Sequence, residues 1–211
     1  MASVTAPQPL NTVTATFHMP AISCKYKKTP SGWVAHWVGL DGAGNSTVEQ
    51  AGVYERCING EPDYRSVWEM YPAPPVLGFD INPGDRVTAS VTTDGNGEFI
   101  LEVDDSTSRD DLDVEESCAS TCPGSTAEVI TEGPKSTDPG SDSLGLAYFS
   151  KVYFTSISMG TSAGTVTDTS SCPANWHCIR DIQVNGQGDI LDHPGEVNRY
   201  GYFSNFWTAA R

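Results

Sequence analysis

The feature that most constrains the fold of this 211-residue chain is an alternation of apolar and polar residues with a period of two. In the segment 12–19, Val13, Ala15 and Phe17 alternate with threonines, and similar patterns over 86–91, 98–103 and 146–157 are typical of β-strands. Turn-forming Gly, Pro, Asn and Asp residues separate these segments, and no stretch keeps a helical period for three turns. The pattern therefore predicts an all-β fold of many short antiparallel strands, a sandwich or a barrel.

Length and charge limit the possible partners. A chain of this size can form one large β domain with a substantial core. Twelve Lys and Arg stand against 27 Asp and Glu, giving a net charge of -15. A field of this sign disfavours nucleic acid and anionic membranes, and no apolar run is long enough to cross a bilayer. We therefore expect no nucleic-acid partner, no membrane association and no cofactor.

The cysteines and the first residues indicate the cellular compartment. Six cysteines form an even set without a Cys-x-x-Cys motif, which favours disulfides over a metal site. The sequence leaves their connectivity open; Cys118 with Cys122 and Cys172 with Cys178 would close short loops, and Cys24 with Cys57 a longer one. The first residues lack the pattern of a signal peptide. We expect a mature secreted domain in an oxidising compartment, without a metal.

Strand alternation sorts the side chains of three neighbouring segments. Trp37 and Asp41 share one face of their strand, so both are predicted to line one groove. Gln50 shares a face with Tyr54, and Glu69 shares a face with Tyr71. Taken alone, these patterns mean only a half-exposed sheet.

Six segments, taken in chain order, resemble the glutamic peptidases, also called eqolisins. They are 12–20, 37–42 (Trp-Val-Gly-Leu-Asp-Gly), 50–53 (Gln-Ala-Gly-Val), 69–72 (Glu-Met-Tyr-Pro), 82–85 (Asn-Pro-Gly-Asp) and 127–130 (Ala-Glu-Val-Ile). Each tetrapeptide is a weak signal, but collinear matches at compatible spacing are fairly specific. The resemblance implies a concanavalin A-like sandwich of two antiparallel sheets, one of which forms a concave substrate groove.

The resemblance also implies site residues. Gln50 and Glu128 stand at the catalytic positions, and the substrate-binding residues would be Trp37, Asp41, Glu69 and Tyr71. Glu132 competes with Glu128 for the catalytic role, since the two lie four apart and share a strand face. Fungal members of the family carry Asp and Trp where Arg65 and Val67 stand, and Trp at the position of Val129. The resemblance therefore carries over no substrate preference.

Peptide hydrolysis requires a group that takes a proton from water, a donor to the developing oxyanion and a proton for the leaving nitrogen. An ionised Glu128 would act as general base and then as general acid, while Gln50 would orient the water and stabilise the oxyanion. A Glu of ordinary pKa, about 4.3, is an ionised base only above that pH. Repulsion among Asp41, Glu69 and Glu128 should raise some of their pKa values, so we expect a bell-shaped acidic pH optimum.

The predicted organisation is a peptidase-like sandwich core over 1–160, with a loop and a C-terminal strand extension over 161–211 packed on the same domain. We expect a monomer that acts on protein or peptide substrates. Two alternatives stay open: a glycoside hydrolase using Glu69 and Glu128, and a carbohydrate-binding module using Trp33, Trp37 and Tyr71. The segment 45–47, Asn-Ser-Thr, fits either an N-glycosylation acceptor or a turn.

Overall fold

The computed structural model describes residues 2–25, 32–133, 145–164, 166–167, 172–184, 189–198 and 201–208. Every regular element within these ranges is a β-strand, and no helix in them could span a membrane. The predicted all-β class is therefore confirmed. The strands are β1 (Ala2–Thr5), β2 (Leu10–His18), β3 (Ile22–Ser23), β4 (Trp33–Asp41), β5 (Val48–Ile58), β6 (Glu61–Tyr71), β7 (Val76–Asp80), β8 (Arg86–Thr93), β9 (Glu98–Asp105), β10 (Asp110–Ser117), β11 (Ala127–Glu132), β12 (Tyr148–Phe149), β13 (Val152–Thr161), β14 (Val166–Thr167), β15 (His177–Arg180), β16 (Gln183–Val184), β17 (Ile190–Pro194) and β18 (Phe203–Trp207).

Two large antiparallel sheets form the sandwich. Sheet A has the strand order β15-β1-β11-β4-β5-β6-β7, and sheet B has the order β10-β9-β8-β2-β13-β18-β17-β16, with β14 beside β13. Strands β4 and β5 of sheet A pack on β2, β8 and β9 of sheet B. Two stacked sheets of this kind are the predicted sandwich.

The core fills the space between the sheets. One face of each strand supplies it, because apolar residues at every second position of a strand point to the same side. Phe17 and Phe154 from sheet B meet there at a ring-centroid distance of 5.4 Å, and Val38, Ala51 and Val129 from sheet A face them. The opposite face of sheet A is called here its outer face.

Three disulfides stabilise the chain. They join Cys24 to Cys57, Cys118 to Cys122 and Cys172 to Cys178. The first closes the longest loop, with a sequence separation of 33, and it ties the segment after β2 to the end of β5. The described cysteines are all paired.

The described part of the C-terminal segment contributes strands to both sheets. β15 pairs with β1 at the edge of sheet A, whereas β18 pairs with β13 and continues sheet B through β17 and β16. Residues 165 and 168–171, at the start of the predicted extension 161–211, lie outside the described residues.

The acidic segment 104–116 lies in a hairpin that β9 and β10 form at the edge of sheet B. The continuous strand expected over 146–157 is wrong. It is interrupted at Ser150, whose backbone N–H donates to Ala21 O at 3.1 Å, so β12 pairs with β3 and only β13 joins sheet B.

Candidate active site

A row of polar side chains crosses the outer face of sheet A. The strand register places Glu69 opposite Gln50, Gln50 opposite Gly39, Gly39 opposite Glu128, and Glu128 opposite Ser3. Residues directly opposite one another on paired strands point to the same side of the sheet. Gln50 and Glu128, 78 positions apart in the sequence, therefore belong to one row on one face.

Gly39 leaves a gap in the middle of this row. Neighbouring strands lie about 4.8 Å apart, so Gln50 and Glu128, two strands apart, have backbones separated by roughly 10 Å. A Cβ at position 39 would lie 2.9 Å from Trp37 Cζ3 and 3.0 Å from Glu49 O. Because glycine has no side chain, the edge of the Trp37 ring packs over this position, and the region over Gly39 between Gln50, Glu128 and that ring is called here the slot.

Glu128 is enclosed, with 7% of its surface exposed. Burial and, secondly, the charge of Glu132 raise the pKa of this carboxyl to about 7, although hydrogen bonding partly opposes both. Gly42 allows the backbone to pass closely over it, since Gly42 has a φ of +98° and a Cβ there would lie 3.2 Å from Glu128 Oε2. Below neutral pH, Glu128 is therefore a carboxylic acid rather than a carboxylate.

Gln50 is oriented by Glu69. Its Nε2 donates a hydrogen bond to Glu69 Oε2. Its Oε1 is buried and accepts no hydrogen bond from the described residues. Burial raises the pKa of Glu69, and the hydrogen bond from Gln50 partly opposes that shift. The contact with Glu69 fixes which end of the Gln50 amide donates and which end remains an acceptor.

An apolar cluster lies beside the polar row on the same outer face. It contains Ala35, Trp37, Tyr54, Val67 and Ile130, with Trp33, Val48 and Leu77 packed against it. A shallow depression next to Gln50 is lined by Trp37, Tyr54, Val67 and Glu69, among others. This face thus combines an apolar wall with a few polar groups, as expected of a site for a peptide side chain.

Gly52 forms the base of the apolar cluster. A Cβ at this position would lie 2.2 Å from His36 O and 2.6 Å from Trp37 Cα, distances that no side chain tolerates. The glycine lets β4 and β5 approach closely where the Trp37 side chain rises from the sheet. The sequence signal for this role, and for the role of Gly39, is a glycine inside a strand pattern.

Asp41 lies away from the groove, contrary to the prediction. Its φ is +65°, so strand alternation ends before it, and its side chain is fully buried. Its carboxylate accepts hydrogen bonds from Asn45 Nδ2, the Gly124 N–H, and the N–H and hydroxyl of Ser125. It also lies near Glu49, which faces the core. Asp41 thus joins the turn after β4 to the loop before β11.

Asn45 is part of this same turn. Its Nδ2 donates to Asp41 Oδ1 at 2.8 Å and to Ser125 Oγ at 2.9 Å, and its Oδ1 accepts from the Gly42 N–H at 3.0 Å. Of the two interpretations of the segment 45–47, the geometry favours the turn.

The remaining candidates lie farther along the outer face. Tyr71 ends β6 opposite Val48 and is 50% exposed. Glu132 ends β11 opposite Ala35, four residue pairs beyond the row that contains Glu128. Glu132 therefore does not face Gln50 across Gly39, and the structure brings Gln50 together with Glu128 and Glu69 instead. Among the described residues, no group of three or more His, Cys, Asp or Glu could hold a metal ion.

Solved structures of similar fold include several glutamic peptidases. Scytalido-glutamic peptidase with a transition state analog inhibitor matches at a TM-score of 0.78 and 22% identity, covering 98% of this chain and 97% of that one. SCP-B, a member of the eqolisin family in a complex with the tripeptide Ala-Ile-His, matches at 0.74 and 20%, covering 98% and 96%. Aspergilloglutamic peptidase from Aspergillus niger matches at 0.70 and 20%, covering 84% and 99%. The fold is that of the β-sandwich glutamic peptidases.

A family model gives the finer assignment. The model described as the Peptidase A4 family matches residues 2–192, and the chain therefore belongs to this family of glutamic endopeptidases. No curated protein sequence matches the chain significantly.

Proposed function

We propose that this protein is a secreted, acid-acting endopeptidase in which Gln50 and Glu128 form the catalytic pair. The observation that carries the proposal is the cross-strand row in which these two side chains flank Gly39. We assign the scissile peptide group and one water molecule to this slot, between the amide of Gln50 and the acid of Glu128.

The protonation state of Glu128 defines the starting point. The scheme expected from the sequence began with an ionised Glu128 of ordinary pKa. With a pKa raised to about 7, Glu128 instead carries its proton in acid. A protonated carboxyl group has a hydroxyl that donates and a second oxygen that accepts, so it can exchange two protons at once.

Attack and cleavage then use the same group twice. Gln50 Oε1 and the acceptor oxygen of Glu128 hold the water. As the water oxygen bonds to the substrate carbonyl carbon, one water proton passes to Glu128 and the Glu128 hydroxyl proton passes to the carbonyl oxygen, giving a tetrahedral diol. Glu128 next protonates the leaving nitrogen and accepts a proton from one diol hydroxyl as the carbon–nitrogen bond breaks. A carboxylic acid and an amine are released, and Glu128 is protonated again.

Gln50 also stabilises the transition state. One of its two amide hydrogens is held by Glu69, and the second can donate to the substrate carbonyl oxygen as negative charge develops there. Glu69 thereby acts on the reaction through the orientation of Gln50.

The substrate class follows from the outer face of sheet A. An extended peptide would place an apolar side chain against Trp37, Tyr54 and Val67 while its peptide group lies over Gly39. Three disulfides agree with an extracellular setting. We expect the pH profile to be bell-shaped, with an alkaline limb that reports the loss of the Glu128 proton near pH 7.

The test is proteolysis of a denatured protein by the purified chain at about pH 4 and at about pH 8, on either side of the Glu128 pKa. Wild type should cleave in acid, and Glu128→Gln and Gln50→Ala should not. Cleavage retained by Glu128→Gln but lost in Glu132→Gln would move the catalytic acid to Glu132. Glycan binding without proteolysis would replace the proposal with a carbohydrate-binding module.

A further inference from the structure

Glu132 accepts a hydrogen bond that plays no part in the proposed reaction. Trp37 Nε1 donates a hydrogen bond to Glu132 Oε1 at 3.1 Å. The Trp37 side chain is 7% exposed, and on the other edge of its indole Cζ3 lies 2.9 Å from the position of a Cβ at Gly39. The ring therefore extends from Glu132 to the slot between Gln50 and Glu128.

The end of β11 is held in place by the C-terminal segment. Gly133, directly after Glu132, donates its N–H to Gln183 Oε1 at 2.8 Å and accepts from Gln183 Nε2 at 3.1 Å. This two-way contact limits the movement of the backbone that carries Glu132. The acceptor of the Trp37 hydrogen bond is thus fixed by a neighbouring segment as well as by its own strand.

We propose that Glu132 is a positioning residue, which holds the Trp37 indole against Gly39 and so sets the width of the slot between Gln50 and Glu128. The proposal rests on the proposed function, since it assigns that slot to the reacting peptide group. A ring free to rotate away would leave the slot wider, and the peptide group would lose its alignment with the two catalytic side chains.

Glu132 also belongs to the set of charges around the slot. It raises the pKa of Glu128 from four residues away on the same strand, and Asp181 acts on Glu128 in the same direction. Across the sheet, burial, the charge of Glu69 and the charge of Glu132 all raise the pKa of Tyr54, and Arg65 lies beyond Tyr54 in the same cross-strand row as Glu132. Removal of the Glu132 charge should therefore affect Glu128 separately from any effect on the Trp37 ring.

Two substitutions separate these effects. Glu132→Gln keeps an oxygen that accepts from Trp37 but removes the charge, whereas Glu132→Ala removes both. At about pH 4, Glu132→Gln should retain kcat within roughly threefold of wild type, and its alkaline limb should move to lower pH. Glu132→Ala should lose about tenfold or more in kcat at the same pH.

Trp37→Phe completes the test, because it keeps an aromatic ring but cannot donate the hydrogen bond. It should reproduce the kcat loss of Glu132→Ala, and the double variant should be no worse than either single one. Glu115→Ala, at an exposed position of β10 in sheet B, is the control and should behave as wild type. Wild-type kcat in Glu132→Ala, or equal losses in Glu132→Ala and Glu132→Gln, would overturn the proposal.

A second measurement does not depend on activity. Exchange of the Trp37 indole N–H with solvent, followed by NMR, should be slow in wild type and in Glu132→Gln and fast in Glu132→Ala. Absence of proteolysis by wild type with this exchange pattern intact would refute the proposed function and confirm the contact. Fast exchange in wild type would refute the positioning role even if the enzyme is active.

Discussion

Strands β9 and β11 show two ways of placing carboxyl groups on a sheet. In β9 every second residue is exposed, and Glu98, Glu102 and Asp104 point into water while apolar residues fill the core. In β11 both faces are buried up to Thr131, and Glu128 lies among Trp37, Ile130 and the turn at Gly42. A carboxyl on a strand that is buried on both faces is desolvated, and desolvation raises its pKa. Such a carboxyl is a candidate for proton transfer.

A second comparison lies within β5. Gln50 faces the outer side of sheet A, and Glu49, its neighbour in the chain, faces the core and is 1% exposed. Burial, together with the nearby Asp41, raises the pKa of Glu49 to about 8. Buried carboxyls thus occur on both faces of sheet A, Glu49 on the core face and Glu128 on the outer face, but it is the outer face that has the glycine slot and an apolar wall. Burial of an acid alone does not define the site.

The largest expected difference between the strands is in catalysis. Glu128→Gln keeps the shape of the side chain and removes its exchangeable acid proton, so kcat/KM should fall by about 10³ or more. Asp104→Asn on β9 is the matched control and should leave kcat/KM unchanged. The measurement is steady-state hydrolysis of a peptide at about pH 4. Equal losses in the two variants would remove the distinction between the strands.

Gln50→Ala should have the next largest effect. The variant loses both the acceptor for the water and the donor to the developing oxyanion, so kcat should fall by about 10² to 10³. Thr92→Ala, on the outer face of sheet B, serves as the control for an outward-facing polar residue on a strand. A change in KM alone would show that Gln50 only binds substrate.

Gly52→Ala tests how tightly the outer face is packed. Its Cβ would collide with the β4 backbone at His36 O, so the free energy of unfolding should fall by about 3 kcal/mol or more. Gly44 has a φ of +81° and no neighbour within 4 Å of a Cβ. Gly44→Ala should therefore lower the free energy of unfolding by only about 1–2 kcal/mol, the cost of a left-handed backbone at a residue with a side chain. Urea denaturation measures both, and similar losses would contradict the close approach of β4 and β5.

The smallest effect concerns stability and pH. The folded state binds the Glu49 proton more tightly than the unfolded chain does, so the stabilisation is complete below the ordinary pKa of 4.5 and is lost as pH rises through about 8. The free energy of unfolding of wild type should therefore fall by on the order of a few kcal/mol as the pH rises from about 5 to about 8.

Glu49→Gln should flatten this dependence, because the variant has no proton to lose at that position. Glu128, with its pKa also raised, contributes a change of the same sign in both proteins. Urea midpoints measured at several pH values give the comparison, and an unchanged slope in Glu49→Gln would place the dependence elsewhere.

Strand alternation predicted much of this arrangement. It placed Trp37 on one face of its strand, Gln50 with Tyr54 and Glu69 with Tyr71, and the strand register agrees. The family resemblance selected Gln50 and Glu128, which alternation alone could not distinguish from other polar residues on strands. Their catalytic role stays a prediction.

The sequence could not predict the features that depend on local backbone or on three-dimensional packing. Asp41 left its expected face because its φ is positive, which alternation does not reveal. The raised pKa of Glu128 depends on burial and on Glu132, whose effect is visible only in three dimensions. The Trp37–Glu132 hydrogen bond joins residues 95 positions apart and has no local signal.

The most direct test of the central claim is a double-mutant cycle on Gln50 and Glu128. If both act on one water and one peptide group across Gly39, the double variant Gln50→Ala/Glu128→Gln should have a kcat/KM close to that of the less active single variant. Losses that multiply, so that the double variant is slower by the product of the two single effects, would show that the two residues act independently and would contradict the shared slot.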